Sequence, residues 1–211
     1  MKPRIALTFD DGPSEQTLRI VDTLSRHGGK ASFFVLGHKL EEGKDIVLRT
    51  HAAGNEIISH SWTHCKEPNL SELSEDEMRK ELTDTHEAIH AMVGHSPKMF
   101  RPPYGAVTDA LKKVAAELDL AIIIWSIDSQ DWRDQEADAI YEKIFSNIHD
   151  DGVILCHDTH ASTADAMERV IPALCEKYTL VTMTELMQSR GVVPQGKVAF
   201  PVYSDEHLIR Y

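Results

Sequence analysis

Ala121-Ile122-Ile123-Ile124-Trp125 is apolar at every position. A strand with one face in water alternates apolar and polar residues, because successive side chains point to opposite faces. A run without that alternation is buried on both sides, as in a parallel sheet covered by helices or closed on itself. The same rhythm repeats outward from this stretch. Strands are expected over Ile5–Phe9, Ala31–Leu36, Glu56–Ser59, Met99–Arg101, Ala121–Ser126, Val153–His157 and Leu180–Met183. Helical patterns lie between them, over Thr17–His27, Asp45–Ala53, Thr108–Leu118, Ala137–Ile148, Thr163–Lys177 and Thr184–Arg190. The clearest helix begins at Ser74, where Glu77 completes a capping-box signature. Its face of Met78, Leu82, Thr85, Ile89 and Met92 steps by four and three, and Gly94 supplies the stop.

Strands alternating with helices imply parallel strands joined by right-handed crossovers. The expected fold is α/β: an irregular (β/α) barrel of about seven parallel strands, TIM-barrel-like, with an open doubly wound sheet as the alternative. Residues 1–211 read as a single domain, with no repeat, low-complexity segment or linker. The tail after Gly191, with Pro194, Gly196 and Pro201, is expected to lie over the surface.

The net charge of -12 argues against nucleic acid as a partner, because binding it nonspecifically needs a basic surface that neutralises phosphates. A neutral substrate fits better. No apolar run of about 18 residues is present, so no membrane insertion is expected. Met1-Lys2-Pro3 leads at once into a strand, and no signal peptide is visible. That start fits either a cytoplasmic protein or, the preferred expectation, the catalytic piece of an exported one. Cys65, Cys156 and Cys175 make an odd count without zinc-ribbon spacing, so disulfides are not the main source of stability.

Reactive residue types collect just after the strands. Asp10 and Asp11 follow the first, His60 and His64 the third, Arg101 and Tyr104 the fourth, and Asp128, Asp131 and Trp132 the fifth, while His157 ends the sixth. In parallel α/β folds the carboxyl ends of the strands carry the active site. His60 and His64 are four apart, so one turn or a tight loop aims both imidazoles at one point. Two imidazoles, one carboxylate and open coordination positions suit a catalytic divalent ion: zinc first, with cobalt, nickel or manganese as alternatives. His86 and His90 share the spacing but sit mid-helix among charges, and read as solvated. Asp10-Asp11-Gly12-Pro13 taken alone reads as a turn. Beside a metal, one carboxylate can bind the ion while the other takes a proton from water. Trp125 reads as core, Cys156 should face the helices, His160 reads as a loop residue, and Cys65 as a bystander to the metal.

Five ordered segments carry a resemblance: Thr8-Phe9-Asp10-Asp11, His60-Ser61-Trp62-Thr63-His64, Arg101-Pro102-Pro103-Tyr104, Asp128-Ser129-Gln130-Asp131-Trp132 and Leu155-Cys156-His157. Together they resemble the motifs of the polysaccharide deacetylases, the NodB-homology domains of carbohydrate esterase family 4. The resemblance implies a metal-dependent hydrolase that removes acetyl groups from a polysaccharide or oligosaccharide. The substrate implied first is N-acetylglucosamine of peptidoglycan or chitin-type oligomers, at a cell-wall or extracellular location; acetylated xylan is the alternative. It also implies that Asp11, His60 and His64 hold the metal and that Asp10 is the base. The backbone N–H of Tyr104 would stabilise the oxyanion, and His157 would be the acid. Arg101 would orient Asp10, Asp131 would pair with His157, and Trp132, Leu155 and Pro103 would line the acetyl pocket. A non-haem iron oxygenase also uses two histidines and one carboxylate, but has no use for Asp10, Arg101 or His157. A noncatalytic sugar-binding module would not need the full set of acid, base and ligands.

Overall fold

The computed structural model describes residues 2–194, residue 196 and the backbone of 199–200. Its strands are β1 (Arg4–Gly12), β2 (Ser32–Val35), β3 (Glu56–Ser59), β4 (Met99–Phe100), β5 (Ala121–Ile123), β6 (Ile127–Asp128), β7 (Val153–His157), β8 (Thr179–Val181) and β9 (Ala199–Phe200). Its α-helices are α1 (Glu15–His27), α2 (Lys44–Ala52), α3 (Glu75–Val93), α4 (Asp109–Glu117), α5 (Asp131–Asp134), α6 (Ala137–Asn147), α7 (Ala161–Lys177) and α8 (Met183–Ser189).

The sheet order is β6-β7-β1-β2-β3-β4-β5-β9, and β8 pairs with the beginning of β1. All these pairings are parallel. β5 and β6 lie toward opposite ends of this order, yet only Ile124, Trp125 and Ser126 separate them in the chain. A fully extended link of that length spans roughly 14 Å. The sheet must therefore curl until its edges nearly meet, which decides for the irregular barrel over the open sheet.

This link also corrects the expected strand Ala121–Ser126. The chain leaves the sheet after Ile123 and rejoins it as β6 on the far edge, beside β7. Trp125 is core, as expected, but it lies in the link rather than in a strand. In the tail, Ala199 and Phe200 pair with β5, so this part extends the sheet. Pro201 lies outside the described residues.

Period-two alternation sorts the strands into two faces. Ile5, Leu7 and Phe9 of β1 and Ile154 and Cys156 of β7 join residues of α1, α6 and α7 in an outer apolar layer. Cys156 thus faces the helices, as expected. Ala6, Ile58, Met99, Val153 and Leu155 turn inward, and Met183, Leu186 and Met187 of α8 join them. A third cluster packs α3 and α4 on Phe100 and Ile122. α3 forms as expected, with a Ser74–Glu77 capping box and a left-handed Gly94 at its end. His86 on this helix departs from the expected solvated pair. Its ring nitrogens lie 2.8 Å from the Leu82 carbonyl and 3.2 Å from that of Met99, and burial lowers its pKa. His90 is exposed.

Candidate active site

Each inward row continues upward into a polar residue. Ala6 leads to Thr8 and Asp10, Ile58 to His60, Met99 to Arg101, and Leu155 to His157. The floor of the site is the apolar interior, and its working layer is the next residue on the same face.

Adjacent strand residues point to opposite faces, so Asp10 and Asp11 should diverge. A bulge prevents this. Asp10 pairs with Phe34 and Gly12 with Val35, leaving Asp11 as the extra residue with φ 73°. Both carboxylates consequently approach His60 Nε2, at 3.7 Å for Asp10 Oδ2 and 3.4 Å for Asp11 Oδ1. His64 Nε2 is 3.2 Å from the same Asp11 oxygen.

Among the described residues, Asp11, His60 and His64 form the one group of three ligating side chains, with donor atoms all within 4.8 Å of one another. Asp11 Oδ1 is buried and accepts no hydrogen bond, so it has unused donor capacity facing two imidazoles. This donor set fits a divalent ion. His60 Nδ1 lies 2.8 Å from the Arg101 carbonyl, a bond that commits its proton there and presents Nε2 as the ligand. Burial works against the Asp11 charge, but the neighbouring His60 and His64 imidazoles outweigh it and hold the carboxyl well below its usual range. Burial and the charge of His60 together push His64 down. Cys65 is not a member of the group.

Arg101 is fully buried. Its Nη1 donates to Asp10 Oδ1 at 2.7 Å and to Thr8 Oγ1 at 2.9 Å, and Nη2 donates to the Ile124 carbonyl at 3.3 Å. The guanidinium also lies 4.0 Å from the Phe34 ring centre and 5.7 Å from that of Trp125. One side chain thus holds Asp10 and ties β1 to the β5–β6 link.

His157 and Asp131 meet across the barrel edge. Nδ1 of His157 is 2.7 Å from Asp131 Oδ1, and its backbone N–H donates to Oδ2 at the same distance. Thr163 Oγ1 adds a third bond to Asp131, at 2.7 Å. Burial disfavours the imidazolium, but Asp131 more than compensates, raising His157 to about 9. Asp131 itself is lowered, against its burial, mainly by the His157 hydrogen bond.

Tyr104 has φ 59° in the turn Pro103–Gly105, and its ring meets that of His64 edge-on at 4.8 Å. Asp11, Ser61, His64, Tyr104 and Gln130 are all non-glycine residues with positive φ, and all belong to this site or its loops. Such backbone persists only where the surroundings impose it. Pro103 and Leu155 are buried, Leu155 on the same inward face as His157. Trp132 is 52% exposed and belongs to none of the apolar clusters. His160 precedes α7 in the loop, its ring 6.2 Å from that of His157.

Several supporting residues escaped the sequence reading: Thr8, Thr163, Glu81 and Asp158. Asp158 is fully buried, its carboxylate accepts from Thr17, and its carbonyl accepts from Ser14. Burial lifts it to about 7, with Asp10 and Asp11 pushing the same way. Its place directly after His157 is the one signal that pointed to it. Two surface cavities, of about 430 and 370 Å³, flank α3, and neither is lined by Asp10, Asp11, His60, His64, Arg101, Asp131 or His157.

The polysaccharide deacetylase family model matches residues 1–123. The peptidoglycan-N-acetylglucosamine deacetylase PgdA of Listeria monocytogenes (strain 10403S) is 40% identical over 87% of this chain. The chain spans 38% of that relative's length. The solved structure of the peptidoglycan deacetylase PdaC from Bacillus subtilis superposes with a TM-score of 0.84 at 35% identity, covering 90% of this chain and 92% of that one. The Xyl-CE4 domain of a multidomain xylanase from the hindgut metagenome of Trinervitermes trinervoides superposes at 0.85 and 32% identity, covering 97% and 98%. With five ordered motifs, a curled parallel barrel and a metal-ready trio at its carboxyl end, this chain belongs to the polysaccharide deacetylase family, carbohydrate esterase family 4.

Proposed function

We propose that this chain hydrolyses the acetamide of N-acetylglucosamine residues in a cell-wall glycan, releasing acetate. The observation that carries the reading is the orphaned Asp11 oxygen facing His60 and His64, between a carboxylate held by Arg101 and an imidazole held by Asp131. A divalent ion held by Asp11, His60 and His64, zinc by first choice, supplies Lewis acidity toward water and the acetyl carbonyl.

Asp10 is the base: it takes a proton from the attacking water as that oxygen bonds to the acetyl carbon. Arg101 orients it through the 2.7 Å bond. The Tyr104 N–H donates to the oxyanion of the tetrahedral intermediate. His157 gives its proton to the sugar nitrogen as the C–N bond breaks, leaving acetate and a free amine. Its raised pKa keeps that proton in place at neutral pH. Trp132, Leu155 and Pro103 receive the methyl group.

The names of PgdA and PdaC support peptidoglycan as the substrate and the wall as the location. The xylanase-borne domain supports acetylated xylan as the second reading. Among the described residues no helix is long and apolar enough to cross a membrane.

The test is acetate release by the zinc-loaded protein from peptidoglycan, chitooligosaccharides and acetylxylan in parallel. Peptidoglycan should lead. Asp10→Asn should keep its zinc while losing roughly 10²–10⁴ in turnover, whereas Asp11→Asn should lose zinc affinity. No acetate from any of the glycans sinks the function. Zinc loss in Asp10→Asn with retention in Asp11→Asn reverses the two roles.

A further inference from the structure

His60 is tied down on both sides. Its N–H bonds the Val35 carbonyl at 2.9 Å, and its ring bonds the Arg101 carbonyl. His64 lies four residues on, across a segment in which Ser61 (φ 70°) and His64 (φ 54°) both have left-handed backbone. Residues other than glycine stay there only when neighbours over-determine the conformation. The carbonyls of this segment face β2's end: Gly37 N–H bonds Ser61 at 3.0 Å and His38 N–H bonds Trp62 at 3.1 Å. The Trp62 ring lies so close to Gly37 that a Cβ there would come within 2.2 Å of it.

The N–H side of the segment is held by one residue of α3. Glu81 Oε2 accepts the backbone N–H groups of both Trp62 and Thr63 at 2.9 Å, and Oε1 accepts the Thr63 hydroxyl at 3.0 Å. Two successive N–H groups converging on one carboxylate oxygen make an anion-binding nest, and bonds to an ionised acceptor are roughly twice as strong as neutral ones. α3 is a rigid base for it, 19 residues long and capped at both ends.

We propose that Glu81 is a positioning residue for the metal site: its carboxylate imposes the left-handed turn that brings His64 Nε2 to the oxygen of Asp11 that His60 also faces. Its carboxylate bonds the residues between the two histidines, Trp62 and Thr63, and acts through that backbone. This inference rests on the reading of Asp11, His60 and His64 as the metal ligands.

The test is zinc affinity measured by competition with a chromophoric chelator, alongside the melting temperature of the chelated protein and the visible absorption of the cobalt-loaded form. Glu81→Ala should weaken zinc binding about 10–100-fold, the usual scale for groups that orient ligands. It should also alter the cobalt spectrum and leave the melting temperature of the metal-free protein near the parent's. Glu81→Gln, which keeps one acceptor oxygen, should recover part of the affinity. At saturating zinc, turnover of Glu81→Ala should return to within a few-fold of the parent. Glu87→Ala, on the exposed side of the same helix, is the control and should change nothing. His64→Ala in the same assay separates the two claims. Parent-like affinity in His64→Ala overturns the ligand reading itself. Parent-like affinity and cobalt spectrum in Glu81→Ala, with loss in His64→Ala, overturn the role of Glu81 alone. A variant that merely melts early with zinc affinity intact gives Glu81 a structural role and overturns the proposal too.

Discussion

At the scale of single residues, the protonation of His157 is set by what surrounds it. His157 is largely buried, which by itself would strip its proton, yet Asp131 and the carboxylates of Asp10 and Asp11 raise it from 6.5 to about 9. An ion on Asp11 would cancel the Asp11 share of that lift and leave the Asp131 hydrogen bond untouched. The alkaline limb of kcat/KM is therefore expected between those two values. The sign follows from the shift: a raised folded-state pKa stabilises the imidazolium fully below the unfolded value and loses that contribution as pH climbs through the folded one. Asp131→Asn removes the charge that raises His157, so the alkaline limb should move to lower pH. A pH–rate profile on an N-acetylglucosamine oligomer checks this, and an unmoved limb would assign the acid to another group. The His157–Asp131 pairing was implied by the resemblance of two motifs to those of the family, and the structure brings the two side chains together. Thr163, which donates to the other Asp131 oxygen, Oδ2, was not legible, because a threonine at the start of a helix reads as a capping residue.

At the scale of elements, the segment Ala121–Asp128 does what no ordinary strand does. It leaves one edge of the sheet, crosses as Ile124-Trp125-Ser126 and rejoins at the other edge. Trp125 fills the crossing, 6% exposed, beside the guanidinium of Arg101. An all-apolar run conceals this break, since burial in a strand and burial in a link read alike in sequence. Trp125→Ala should cost roughly 3–5 kcal/mol through the cavity it leaves. Because the crossing carbonyl of Ile124 receives Arg101, the same change should also reduce turnover, whereas removal of an outer-layer side chain of equal stability cost should not. Urea unfolding gives the first quantity, acetate release the second. A destabilised variant with parent-like turnover would disconnect the link from the site.

For the whole molecule, the interior changes character along the barrel axis. α8 and the inward residues Ala6, Ile58, Met99 and Val153 make an apolar lower part, and the layer above holds Asp10, His60, Arg101 and His157. Buried charges are costly unless they are paired or hold an ion. An ion bound to the native chain alone stabilises it by mass action, about 2.7 kcal/mol when free ion exceeds its Kd a hundredfold. For a chain of this size that is a rise in melting temperature of roughly 5–10 °C on adding zinc, reversed by chelation. Calorimetry with and without a chelator checks this, and His60→Ala with His64→Ala should abolish the difference. Zinc-dependent stabilisation that persists in the double variant would place the ion elsewhere.

Sequence by itself determined which residues could do chemistry and on which end of the strands they lie. Strand and helix rhythm is a local property, set by the period of apolar residues, and motif order is preserved along a chain. Asp11, His60 and His64 were legible for that reason, as were Arg101, Asp131 and His157. Only the tertiary structure decided how those residues meet. The bulge at Asp11 turns two adjacent carboxylates to one side, because the register of β1 against β2 slips by one residue there. The half-buried state of His86 comes from the Met99 carbonyl of a neighbouring strand, which no helical pattern contains. Glu81 and Asp158 read as ordinary helix and turn residues until the loop at Thr63 and the first turn of α1 at Thr17, 18 and 141 residues away, are folded against them. Hydrogen bonds of that reach depend on strand order and loop closure, and neither is written in the periodicity of any single segment.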